Sequence, residues 1–226
     1  MTTAPRLTVL ILASLAALSA CRSNPATDAG PSSGASANGM ARPTAMPATD
    51  AFFRNLSTLC GHAYAGRVIV DRPTPAGLSP FEGKALVMHV RECTPDTVRI
   101  PLMVGDDRSR TWIVTRTATG LRLKHDHRRQ DGTEDPLTMY GGDTVKAGSA
   151  KRQVFPADEQ TKALFVSEQR NVSVTNVWAM EVEPGERFIY ELSRPGRMFR
   201  VEFDLSEPVP APPPPWGWRQ LENGTP

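Results

Sequence analysis

Phe188-Ile189-Tyr190-Glu191-Leu192-Ser193-Arg194-Pro195-Gly196-Arg197-Met198-Phe199-Arg200-Val201-Glu202-Phe203-Asp204-Leu205 reads as two strands with a turn between them. Phe199, Val201, Phe203 and Leu205 share one parity, while Met198, Arg200, Glu202 and Asp204 share the other. That period of two marks a strand with one buried and one wet face. Phe188, Tyr190 and Leu192 supply the buried side of the preceding strand. Between them Arg194-Pro195-Gly196 suits a tight turn, because proline fixes one dihedral and glycine tolerates positive φ. Trp178, Met180 and Val182 line a still earlier strand that ends at Glu183-Pro184-Gly185-Glu186. Three strands in succession, joined by short turns, form a meander.

The same period continues toward the N-terminus over Tyr64 to Asp71, Lys84 to Cys93, Thr97 to Val104, Arg110 to Ala118 and Leu121 to Arg128. Thr94-Pro95-Asp96 and Thr119-Gly120 supply turns, and shorter runs over Leu137 to Val145 and Ala150 to Phe155 extend the series. Asp158 to Phe165 predicts a short helix. Ahead of all strands, Thr49-Asp50 are cap candidates for a helix carrying Phe52, Phe53, Leu56 and Leu59 at helical spacing and stopping at Gly61. The chain therefore reads as mainly β, an antiparallel up-and-down barrel of about eight to ten strands with one N-terminal helix and one short internal helix. A β-sandwich is the alternative; the barrel is preferred because consecutive short turns pair neighbours without Greek-key crossings. The helix leading into Gly61-His62-Ala63-Tyr64-Ala65-Gly66 resembles the helix and opening strand of lipocalin-like barrels, although the lipocalin Gly-x-Trp motif does not occur.

The first residues carry an address. Arg6 precedes an uncharged run from Leu7 to Leu18, a secretory signal pattern. The run falls short of the roughly 20 apolar residues that cross a bilayer as a helix, so cleavage is expected. Leu18-Ser19-Ala20-Cys21 resembles the lipobox of bacterial lipoproteins, which implies a diacylglycerol thioether on Cys21 and an acylated amino group, with palmitate as a constituent. Arg22 and Ser23 follow, with no retaining Asp; by the same resemblance the protein sits at the outer membrane facing the periplasm. An ordinary signal peptide and a soluble periplasmic protein form the alternative. The expected organisation is a signal peptide over 1–20, a lipidated flexible tether over 21–49, the barrel over 50–206 and a Pro-rich tail over 207–226. Pro208 to Pro215 favours polyproline II, and Trp216-Gly217-Trp218 leaves two readings for the tail: docked on the domain or a partner, or free.

Charge and cysteine content narrow the function classes. The whole chain has 26 basic and 24 acidic residues, and loss of residues 1–20 removes only Arg6. Such neutrality gives no footprint for nucleic acid. A local basic stretch from Arg108 to Arg129 reads as a solvated strand face, or as a contact for acidic lipid head groups or an acidic polymer. With Cys21 assigned to lipid, Cys60 and Cys93 remain as an even pair in an exported chain and predict a disulfide, two buried thiols being the alternative.

Candidate chemistry concentrates near the end of one strand. Leu121, Leu123, His125 and His127 share a parity, so both imidazoles extend an inward face toward a barrel mouth. Two histidines so placed could share a metal with Asp131, Asp135 or His89, or could be hydrogen-bonded structural groups. No metal or other cofactor is assigned. Asp106-Asp107-Arg108-Ser109-Arg110 reads as a charged loop, with cation or phosphate binding as the alternative. Within 50–206 no Gly-x-Ser-x-Gly elbow occurs, and no catalytic residue is assigned.

Leu121 to Arg128, Met139-Tyr140-Gly141-Gly142-Asp143 and Thr175 to Met180 are similar to segments of an uncharacterised family of proteobacterial secreted proteins and lipoproteins, over about Phe52 to Leu205. The resemblance implies envelope location and a single domain, and no functional residues. The leading expectation is a membrane-anchored envelope lipoprotein whose barrel binds a small or apolar molecule through Trp112, His125, His127, Trp178 and Tyr190. A non-catalytic envelope assembly protein using the Trp216 and Trp218 tail, and a metal-dependent enzyme at His125 and His127, are the other two. An enclosed aromatic cavity would favour the first, and a filled interior the second.

Overall fold

The computed structural model describes residues 47–73 and 79–218, so the signal, Cys21 and the tether up to residue 46 lie outside the described residues. Helix α1 (Ala48–Ser57) leads into strands β1 (Ala63–Arg72), β2 (Leu86–His89), β3 (Glu92–Cys93), β4 (Thr97–Val104), β5 (Asp107–Thr117), β6 (Gly120–His127), β7 (Tyr140–Asp143) and β8 (Arg152–Pro156). Helix α2 (Glu159–Ser167) and a 3-10 turn (Asn171–Thr175) follow, then β9 (Val177–Glu183), β10 (Arg187–Arg194) and β11 (Arg197–Val209). Among the described residues no helix is long and apolar enough to cross a membrane.

The strands form one 11-stranded antiparallel sheet in the order β7-β6-β5-β4-β2-β1-β11-β10-β9-β8, with β3 added beside β4. Neighbours in sequence are neighbours in space, and β1 closes on β11, from Ala63 opposite Val209 to Arg72 opposite Met198. The up-and-down barrel is thus nearly closed, with its one seam between β7 and β8. Two glycines let β7 lie close to its neighbours, Gly142 across the seam and Gly141 against β6. A Cβ on Gly142 would lie 1.8 Å from the Pro156 carbonyl oxygen, and one on Gly141 1.9 Å from that of Leu123. Where a ladder partner is missing, Gly141 N–H donates to Thr161 Oγ1 at 2.7 Å and Asp158 N–H donates to the Gly141 carbonyl at 3.0 Å. The start of α2 therefore satisfies the open edge of β7.

Inside, one contiguous apolar core fills the barrel. Val98, Ile100, Val114, Leu123, Met180, Val182, Phe188, Val201 and Phe203 are fully buried, as the period-two reading requires. Helix α1 closes the end where β5 stops and β6 begins: Phe52, Phe53 and Leu56 enter the core, Asp50 pairs with Arg116, and Asn55 Nδ2 donates to the Ala150 carbonyl. Cys60, just after α1, is disulfide-bonded to Cys93 in β3.

Several expectations shift. The N-terminal helix begins at Ala48 behind Pro47 rather than being capped by Thr49-Asp50, because Asp50 is engaged by Arg116 across the barrel end. Lys84 to Cys93 divides into β2 and β3, since Leu86 to Met88 pair with Val104 to Leu102 whereas Glu92 and Cys93 pair with Arg99 and Val98 in a shifted register. Leu137 to Val145 shortens to β7, because Asp135 Oδ1 accepts from Leu137 N–H and Met139 takes φ 55°. The internal helix runs over Glu159–Ser167, with Asp158 as its N-cap accepting from Thr161 N–H.

The basic stretch from Arg108 to Arg129 is largely neutralised. Arg110 pairs with Asp107, Arg116 with Asp50, Arg122 with Asp143, Lys124 with Asp158 and Arg128 with both Asp126 and Glu134. The Asp106 to Arg110 segment opens β5, its Asp107 carboxylate accepting from Ser109 N–H. The tail docks on the outside of the barrel. Trp216 N–H donates to the Arg108 carbonyl at 3.0 Å, Arg108 Nη1 donates to the Pro214 carbonyl at 3.1 Å, and Arg91 stands 5.3 Å over the Trp218 ring. Pro212, Pro213 and Trp216 border the groove that holds Val87 and Met103, and Met103 is buried although it points outward.

Candidate functional site

At the end opposite α1, inward parity brings Arg110 and Trp112 of β5, His125 and His127 of β6, Tyr140 of β7, Trp178 of β9 and Tyr190 and Leu192 of β10 to one mouth. Trp112 stacks on Tyr190 with ring centres 4.4 Å apart, and His125 stacks on Tyr140 at 4.6 Å. Trp178 lies 5.1 Å from His125, and Phe165 of α2 lies 5.4 Å from Tyr140. All five residues expected to line a ligand site, Trp112, His125, His127, Trp178 and Tyr190, thus meet in one cluster.

Hydrogen bonds fix the orientation of the histidines. His125 Nδ1–H donates to the Tyr140 carbonyl at 3.1 Å, which leaves Nε2 to accept the Tyr190 hydroxyl proton at 2.8 Å. A carbonyl can only accept, so it dictates the neutral tautomer. His127 Nε2 lies 3.1 Å from the Tyr140 hydroxyl. Burial is the main reason the His125 pKa is lowered to about 3, with His127 adding to it. Burial lowers His127 to about 4, and the Arg110 charge acts in the same direction. Burial raises Tyr140 and Tyr190 above the ordinary tyrosine value. The floor of the mouth is therefore uncharged at neutral pH.

Above this floor lies an open cleft of about 420 Å3. His127, Tyr140, Phe165, Trp178, Tyr190, Leu137 and Leu192 line its apolar side; Arg110, Arg128, Arg170, Asp135, Ser109, Ser173 and Asn176 line the rest. Trp112 and His125 lie one layer deeper, buried beneath it. Below them, among the described residues, the barrel holds the contiguous apolar core. Tyr140, Arg170 and Asn176 were not singled out from the sequence as site residues, and Arg110 entered only within the charged Asp106 to Arg110 segment, with cation or phosphate binding as its alternative. The glycines after Tyr140 hint at a close approach, whereas Arg170 and Asn176 flank an irregular turn that no periodicity marks.

The histidines do not assemble a metal centre with the suggested partners. Both His125 nitrogens are engaged within the cluster, Asp131 accepts from Thr133, Asp135 caps Leu137, and His89 lies beside Arg91 on β2. Among the described residues no three His, Cys, Asp or Glu side chains converge. A larger hollow of about 780 Å3 lies outside the barrel between the tail and the loop after β6. Its arginines are already paired, Arg99 with Glu92 and Arg128 with Asp126 and Glu134, so its charges are committed to one another. The mouth cleft is the better candidate because, beside its paired Arg110 and Arg128, it holds Arg170, which makes no ion pair among the described residues. Compared with protein-family models, with curated proteins and with solved structures, the chain finds no match.

Proposed function

We propose that this is a lipid-anchored protein of the cell envelope, outer-membrane bound and facing the periplasm, whose barrel mouth binds a small, partly apolar molecule. The observation that carries the ligand-binding reading is the cleft of about 420 Å3 over an uncharged aromatic floor. That volume lies within the roughly 300–1,000 Å3 range of small-molecule sites, which combine apolar walls with a few placed polar groups. The filled interior favours the second reading, a non-catalytic assembly or partner-binding protein. Here the volume lies at the mouth rather than in the interior, and the tail that would have served a partner is engaged with its own barrel. The anchor reading rests on Leu18-Ser19-Ala20-Cys21 and on the resemblance to secreted and lipidated envelope proteins.

Native mass spectrometry of the protein gently extracted from its own membrane tests both halves. The expected result is a mass increment of acyl groups confined to a peptide starting at Cys21, together with a dissociable small molecule that is lost in Trp178→Ala. Unmodified protein beginning at Cys21 or elsewhere would sink the anchor. A ligand-free spectrum, or one unchanged by the substitution, would sink the mouth as a binding site.

A further inference from the structure

The polar groups lining the cleft differ in what they have left to give. Three arginines face it against one carboxylate, Asp135, one of whose oxygens already accepts from Leu137 N–H. Arg110 is paired with Asp107, and Arg128 with Asp126 and Glu134, none of which lines the cleft. Arg170, exposed at the rim, makes no ion pair among the described residues. Asn176 is only 5% exposed, and its Oδ1 accepts from Arg194 Nη1 at 3.2 Å. That contact fixes the amide, because a guanidinium can only donate, and leaves Nδ2–H2 without a partner among the described residues. That donor reaches solvent at the cleft, where a ligand can accept from it. The Arg110 charge also reaches the floor, since it depresses His127 and opposes the rise in Tyr140 and Tyr190.

From this we infer that the ligand is a small amphiphilic anion. Its carboxylate or phosphate head takes hydrogen bonds from Arg170 and Asn176 within the field of Arg110, and its apolar body lies on Tyr140 and Leu192. The inference rests on the mouth being a ligand site, and it adds the sign and chemistry of the head group. A guanidinium matches either oxyanion with paired donors, so a fatty-acid-like carboxylate and a lipid-derived phosphate share the recognition chemistry.

Isothermal titration of the purified domain, tail included, with decanoate, decyl phosphate and decanol separates the possibilities. Both anions are expected to bind at least tenfold more tightly than the alcohol, and the tighter of the two identifies the head group. Arg170→Ala, at an exposed site, should reduce that preference at least threefold, with Arg170→Lys recovering part of it and decanol binding unmoved. Equal affinity for decanol and the anions, or a preference indifferent to Arg170→Ala, would overturn the anion while leaving the mouth a ligand site. If none of the three binds, the anion and the mouth reading fall together.

Discussion

At the scale of single residues, the two inward histidines show how burial decides chemistry. On a strand face His125 and His127 could have been metal ligands, proton carriers or core polar groups. Their pKa values, lowered to about 3 and about 4 from 6.5, place them among neutral, hydrogen-bonded groups at physiological pH. The consequence for stability has a definite sign. Both folded values lie below the unfolded one, so between them the unfolded chain binds more protons than the native one. The stability is complete above about pH 6.5 and is lost as the pH falls from there toward the folded values. His89, lowered by burial and by Arg91, acts in the same sense. Urea unfolding should therefore weaken between pH 7 and pH 5, by up to about 1.4 kcal/mol per pH unit for each such histidine. Asp107 and Asp158, held below the usual carboxylate value, act only at lower pH. A midpoint that stays flat from pH 7 to pH 5 would contradict the neutral buried histidines.

At the scale of elements, the docked tail is the clearest case of a segment whose role depends on what it meets. Gly132, in the loop after β6, and Gly217, between the two tail tryptophans, adopt φ 85° and 70°. A Cβ on Gly132 would lie 2.9 Å from Gly217 Cα, and one on Gly217 2.6 Å from the Gly132 carbonyl oxygen. Only glycine at both positions lets the two backbones touch. Gly217→Val should release the strap, expose Met103 and Val87, and make the C-terminal segment accessible to protease while the barrel stays folded. Limited proteolysis followed by mass spectrometry checks this, and a tail as resistant as wild type would argue against the contact. In the sequence, Pro208 to Pro215 showed extended backbone and the paired tryptophans showed a need for cover. Neither revealed where the cover lies, since the contact joins positions far apart in the chain.

At the scale of the whole molecule, closure has two parts: the β1–β11 ladder and the disulfide that ties the end of α1 to β3. The bridge joins residues 33 apart, and the chain-entropy account gives about 4 kcal/mol of stabilisation for a loop of that size. Cys60→Ala with Cys93→Ala should lower unfolding stability by several kcal/mol, to about that extent, in urea titration without reductant. An effect below about 1 kcal/mol would mean that α1 holds its place without the bridge. The strand periods, the meander and the inward parity of Trp112, His125, His127, Trp178 and Tyr190 were legible in the sequence by itself, because side-chain alternation and turn chemistry are local. Only the tertiary structure decided that β1 pairs with β11, that the seam falls between β7 and β8, and that the volume lies at the mouth over a filled core. Those features come from packing between residues remote in sequence, such as Gly142 against Pro156 and Arg194 against Asn176, and no local pattern encodes them.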